Sequence, residues 1–161
     1  MRSTIGVAEL AEQKPNKTPI ELLLIDDDQS DIYLAKRALG KCQTPVNIQV
    51  ARHGEEALAL LRCQGANQNA QRPDLIILDL NMPRMNGHEF LEVMKADDDL
   101  KSIPTIVMTM SRSEVDVRES YRLQASAYIT KPMELDAFAQ VIRSIEDHWF
   151  NAVRLPQQRE A

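Results

Sequence analysis

Cysteine is scarce in this chain. Cys42 and Cys63 are the only two in 161 residues, and neither belongs to a CxxC motif or pairs with a histidine. They read as reduced, structural thiols of a cytosolic protein. Long apolar runs are missing as well. None approaches the ~20 residues of a membrane span. The N-terminal stretch MRSTIGVAELAEQ lacks the apolar centre of a secretory signal. Basic charge is not in excess: 19 Lys and Arg stand against 24 Asp and Glu, for a net charge of −5. No broad basic surface for nucleic acid is therefore expected. The glycine motifs that cradle phosphates, GxxxxGK[ST] and GxGxxG, do not occur. No internal repeat shows. What remains is 43% hydrophobic and 27% charged residues, a balance that can bury one core in one domain.

The most informative stretch is Pro73–Gly87, PDLIILDLNMPRMNG. Four apolar residues, Leu75 to Leu78, lie between a proline and a carboxylate, Asp79. A short apolar run bounded by turn signals fits a strand buried on both faces. Asp79 then stands at its C-terminal end, where open α/β sheets bind their ligands. The same pattern recurs along the chain. Ile20–Ile25 is a buried strand running into Asp26-Asp27-Asp28, and Ser30 or Asp31 is expected to cap a helix that Gly40 ends. Val46, Ile48 and Val50 alternate as a half-buried strand. Helices are expected over Gly54–Leu61, His88–Ala96 and from Ser113 to about Leu123. Strands are expected over Thr105–Thr109 and Ala127–Thr130, and Cys63–Arg72 is a polar loop. A last helix starts at Glu134, and Leu135, Phe138, Val141, Ile142, Ile145, Trp149 and Val153 follow its period.

Five strands alternating with five helices predict a doubly wound parallel sheet of the α/β class. Its C-terminal edge would gather Asp26, Asp27, Asp28, Asp79, Thr109 and Lys131. Several carboxylates so close repel one another unless a cation joins them. Hard oxygen donors without His or Cys favour Mg²⁺ over zinc. Lys131 and Thr109 suit phosphoryl oxygens, and a carboxylate can itself become an aspartyl phosphate. Asn81 stands where an aspartate-nucleophile phosphatase would carry a second Asp as general acid.

With LLLIDDD, LDLNMPRMNG, Thr109 after IPTIVM, and Lys131-Pro132 after Tyr128, residues 20–147 resemble the receiver domain of a two-component response regulator. The resemblance implies a flavodoxin-like (βα)5 fold with strand order 2-1-3-4-5. It implies that Asp79 accepts a phosphoryl group from a histidine kinase, and that Asp27, Asp79 and the Asn81 carbonyl ligate Mg²⁺, Asp26 acting through water. It implies contacts from Lys131 and Thr109 to the phosphoryl group, a switch role for Tyr128 beside Thr109, and a cis Lys131–Pro132 bond. Such a protein is a switch and not an enzyme, taking part only in its own phosphotransfer and slow dephosphorylation. Met110 departs from the family, which usually carries a small residue there.

NMPRMNG, the long polar loop before the third strand and the tail HWFNAVRLP further resemble the small stand-alone response regulators paired with cyanobacterial phytochromes. The expected organisation is a flexible arm over 1–19, the receiver over 20–147 and an extension of the last helix with a tail over 148–161. With only about ten residues after that helix, no DNA-binding domain is expected, and output would come from protein contact in the cytoplasm. Adjacent helix positions differ by about 100°, so Trp149 and Phe150 can hardly both face one core. Trp149, Phe150, Val153 and Leu155 are therefore the expected interface of a homodimer, with a phytochrome kinase as partner. Two other readings fit the sequence less well. A phosphorylation-independent adaptor conflicts with the complete Asp79, Thr109 and Lys131 set. A flavin binder conflicts with the acidic loop after the first strand.

Overall fold

The computed structural model describes residues 18–156. The expected N-terminal arm over 1–19 lies almost wholly outside the described residues. The elements are β1 (Ile20–Ile25), α1 (Gln29–Gly40), β2 (Val46–Ala51), α2 (Gly54–Leu61), β3 (Leu75–Leu78), α3 (Gly87–Ala96), β4 (Thr105–Thr109), α4 (Glu114–Arg122), β5 (Ala127–Thr130) and α5 (Leu135–Ile145). A single 3₁₀ turn at Gly65–Asn67 sits in the polar loop before β3, and α5 runs on as a π-helix over Glu146–Ala152.

All strand pairs are parallel and the order is β2-β1-β3-β4-β5. The strand interiors are apolar on both faces because helices cover both. Leu23, Ile25, Ile76, Leu78 and Val107 point to one side, where Ala57, Leu58, Phe90, Leu91 and Met94 of α2 and α3 meet them. Leu22, Leu24, Leu75, Ile77, Ile106 and Met108 point to the other, against Ile32, Ala35 and Leu39 of α1 and Phe138, Ile142 and Ile145 of α5. The period-2 alternation of one strand thus feeds two cores.

Helix starts follow capping chemistry. Asp28, not Ser30 or Asp31, caps α1: its carboxylate accepts from the Ser30 and Asp31 amides at 2.8 and 3.1 Å. Asn86 and Glu89 form a reciprocal capping box ahead of Gly87. The Lys131–Pro132 bond, expected cis from the resemblance, is trans, as is every described peptide bond. The two isomers of an X–Pro bond differ by only about 0.5–1 kcal/mol, so local packing and not the sequence pair decides between them.

The π-helical end of α5 is fastened to the α1–β2 connection. Glu146, buried, accepts from the Thr44 amide at 3.1 Å, and the Thr44 hydroxyl donates to Asn151 at 3.3 Å. Burial and the neighbouring Glu146 push the Cys42 thiol from its ordinary 9.0 up to about 11. Phe150 is buried in the α1–α5 core and Trp149 is half-buried against it. Neither ring stands fully exposed, contrary to the α-helical expectation. The wider π turn brings adjacent side chains closer in direction than the α-helical spacing assumes.

Candidate functional site

Register alone brings the acidic residues together. Ile25 pairs with Leu78 across β1 and β3, so Asp26 and Asp79, one residue on, leave neighbouring strands side by side. The Asp79 amide still donates to the Ile25 carbonyl at 2.9 Å, which fixes its backbone to the sheet. Thr109 ends β4 opposite Thr130, and the Lys131 amide donates to the Thr109 carbonyl at 2.7 Å. Thr109 is fully buried, and its hydroxyl oxygen accepts from the Ser111 amide at 3.4 Å.

At the centre lies the ammonium of Lys131, a residue only 5% exposed. It donates to Asp26 at 2.6 Å, Asp31 at 2.9 Å and Asp79 at 3.1 Å. An ammonium has three N–H donors, and all are used. Burial by itself would push the Lys131 ammonium down. The hydrogen bonds to Asp26 and Asp31 and the charges of Asp26 and Asp79 overcome it and hold the group above the ordinary lysine range. Burial pushes Asp26 up to about 6, against the opposing pull of Lys131 and of the Asp28 amide, which donates to Asp26 at 3.0 Å.

Asp26, Asp27 and Asp79 each bring a carboxylate oxygen within 4.8 Å of the others. Asp27 is exposed while the other two are buried. An all-oxygen donor set open to water on one side fits a hard divalent cation that keeps some of its waters. Asn81 is exposed on the loop after β3, its amide donating to Asp79 at 3.4 Å. Met110 stands at the rim, 58% exposed, beside a cleft of about 190 Å³ that Asp31 and Lys131 also line. Tyr128 lies half-buried on β5. Its hydroxyl donates to the Ser111 carbonyl at 2.8 Å, tying β5 to the segment that follows Thr109. Trp149, Phe150, Val153 and Leu155 belong to the C-terminal segment after α5 and take no part in this cluster.

In the sequence Asp31 reads only as a helix cap, yet it is one of the three partners of Lys131. A signal was available. Side chains in a helix lean toward its N-terminus, so a carboxylate in the first turn of α1 points back to the end of β1.

Over residues 22–143 the chain matches the family described as response regulator receiver domain, and it belongs to that family. Response regulator Rcp1 of Synechocystis sp. is 38% identical over 138 residues, which cover 86% of this chain and 94% of that protein. Among solved structures, the phosphorylated cyanobacterial phytochrome response regulator RcpA is 39% identical with a TM-score of 0.84, covering 87% of this chain and all of that one. The Mn²⁺-bound form of Rcp1 is 37% identical with a TM-score of 0.82, covering 86% and 100%. The chain is thus a phosphoacceptor receiver of two-component signalling, a non-enzymatic switch with a histidine kinase as its kind of partner, and its Asp26, Asp27 and Asp79 form an acidic cluster able to hold a divalent cation. Among the described residues no helix is long and apolar enough to cross a membrane.

Proposed function

We propose that Asp79 is the phosphoacceptor and that the donor is a phosphohistidine of a phytochrome-type kinase. One observation carries the assignment of Asp79: among the described carboxylates it alone is buried at the end of the central strand β3 and also in contact with Lys131. In the step, an Asp79 oxygen attacks phosphorus, the P–N bond breaks, and the imidazole nitrogen leaves and takes up a proton. Phosphoryl transfer of this kind depends on positioning and charge compensation more than on covalent assistance. Lys131 supplies the fixed positive charge and Thr109 the hydroxyl for a second phosphoryl oxygen. Asp26, Asp27 and Asp79, with the Asn81 carbonyl, would hold Mg²⁺, which when bound offsets charge on the phosphoryl oxygens. Tyr128, already tied to Ser111, is the switch that reports Thr109 to the α4–β5–α5 face. The names of the relatives support a phytochrome partner, and a cytoplasmic location accords with it. Incubation with acetyl phosphate should label the chain when Mg²⁺ is present and not when EDTA removes it. Equal labelling with EDTA contradicts the cation's role.

The α4–β5–α5 face, continued by Trp149, Val153 and Leu155, is the proposed surface of a homodimer. In its favour, Val115 and Tyr121 of α4 are exposed and all of β5 is half-exposed. Exposed apolar area of this kind marks interfaces. Sedimentation at micromolar concentration should show a dimer that Val115→Asp dissociates, and a monomeric native chain contradicts the dimer.

A further inference from the structure

Lys131 has three carboxylate partners, and they differ in one respect. Asp26 and Asp79 belong to the set that would hold a divalent cation, and Asp31 does not. A cation entering that set competes with the lysine for Asp26 and Asp79. A buried ammonium that loses those partners without another is costly, because its charge has been withdrawn from water. Asp31 is placed to prevent this. It sits in the first turn of α1, its amide held by Asp28 at 3.1 Å. Its carboxylate is 2.9 Å from Lys131 Nζ, with its side chain 26% exposed on the cleft side.

We propose that Asp31 is a positioning residue, which keeps Lys131 paired while a divalent cation takes Asp26, Asp27 and Asp79, and thereby raises the affinity of the site for that cation. This rests on the reading of those three aspartates as the metal set. Asp31 has two effects, and they can be separated. It adds negative charge near the site, as any acidic neighbour does. It also gives the lysine a partner that the cation does not claim, which a carboxylate out of reach of Lys131 cannot do. Glu134 is the comparison: it lines the same cleft as Asp31 and Lys131, is exposed, and has no ion pair to the lysine.

The test is binding of Mn²⁺ to the full chain, followed by the loss of the free-ion signal in electron paramagnetic resonance. Outer partners of a metal site commonly change affinity by 10- to 100-fold, so Asp31→Asn should bind Mn²⁺ about tenfold more weakly. Glu134→Gln should change it by less than about twofold, the scale of a screened surface charge. In a Lys131→Met background the Asp31→Asn effect should shrink to that of Glu134→Gln, since the residue acts through the lysine. Equal effects of Asp31→Asn and Glu134→Gln overturn the inference, as does an Asp31→Asn effect that survives Lys131→Met. If Lys131→Met does not fold, the comparison of the two single variants decides. Failure of the native chain to bind Mn²⁺ overturns the metal-site reading and this inference with it. Binding that is tight and identical in the native chain and Asp31→Asn overturns the inference alone.

Discussion

Replacing Gly87 by alanine should destabilise the protein by about 2–4 kcal/mol, a large effect for one methyl group. The reason is local. A Cβ on Gly87 would lie 2.5 Å from the Asp79 carbonyl oxygen and 2.7 Å from the Leu80 Cα. Both are backbone atoms at the end of the central strand, and the Gly87 amide itself donates to the Leu80 carbonyl at 2.9 Å. Alanine in place of glycine in a helix ordinarily gains up to about 1 kcal/mol, so the clash must outweigh a favourable propensity change. Gly54, the first residue of α2, is the matched control. The nearest atoms to a Cβ there are Cγ, Sδ and Cβ of Met85, at 2.6, 2.8 and 2.9 Å. The Met85 sulfur and Cγ can turn away but its Cβ is fixed to the backbone, so Gly54→Ala should cost about 1–2 kcal/mol. That is less than Gly87→Ala, which meets backbone atoms alone at the closest approach. Urea unfolding of both variants measures the difference. The shift at Gly87 also moves the Asp79 backbone, so Gly87→Ala should accept phosphate poorly even where it remains folded. Equal stability of the two variants contradicts the packing described here.

The second large effect is at Asp79 itself. Asp79→Asn keeps the shape of the side chain and a carbonyl oxygen for Lys131, but an amide is not a phosphoryl acceptor. Labelling from acetyl phosphate or from a phosphorylated kinase should disappear. Contact with Lys131 does not distinguish the neighbouring carboxylates, since Asp26 and Asp31 share it with Asp79. Position does: Asp26, Asp27, Asp28 and Asp31 belong to the end of β1 and the start of α1, while Asp79 ends the central strand β3. The variant should fold, because the site loses one charge from a cluster with more carboxylates than cations. Undiminished labelling of Asp79→Asn contradicts the assignment.

Much of this was legible in the sequence, for reasons that differ by element. The strands Ile20–Ile25, Leu75–Leu78, Thr105–Thr109 and Ala127–Thr130 lie where apolar runs meet turn residues. A short apolar run does not by its period alone exclude a buried helix segment, and it is the shortness of each run and the turn residues at its ends that decide for a strand. Once the strands are parallel, their carboxyl ends must share an edge, and that is why Asp26, Asp79, Thr109 and Lys131 could be grouped before any geometry was known. Asp31 escaped because its role is a side-chain contact between residues far apart in the chain, and because capping offered a sufficient local explanation. The cap of α1 fell to Asp28 since one carboxylate there reaches two free amides, an advantage that composition does not show. The π-helical turn at Glu146–Ala152 was missed because α-helical period and π-helical period fit a seven-residue stretch almost equally well. The tie from Glu146 to Thr44, which accompanies it, joins distant parts of the chain. The geometry of the Lys131–Pro132 bond rests on an energy difference too small for sequence to settle.

The central claim is that Asp79 carries the phosphoryl group. Its most direct test is to phosphorylate the native chain in the presence of Mg²⁺, reduce the acyl phosphate with borohydride, and read the peptide over Pro73–Gly87 by tandem mass spectrometry. Reduction converts a phosphorylated aspartate to homoserine, which marks the site covalently. Homoserine at position 79, and at no other aspartate, is the expected result. Homoserine at Asp27, Asp28 or Asp31 with an unchanged Asp79 would contradict the account.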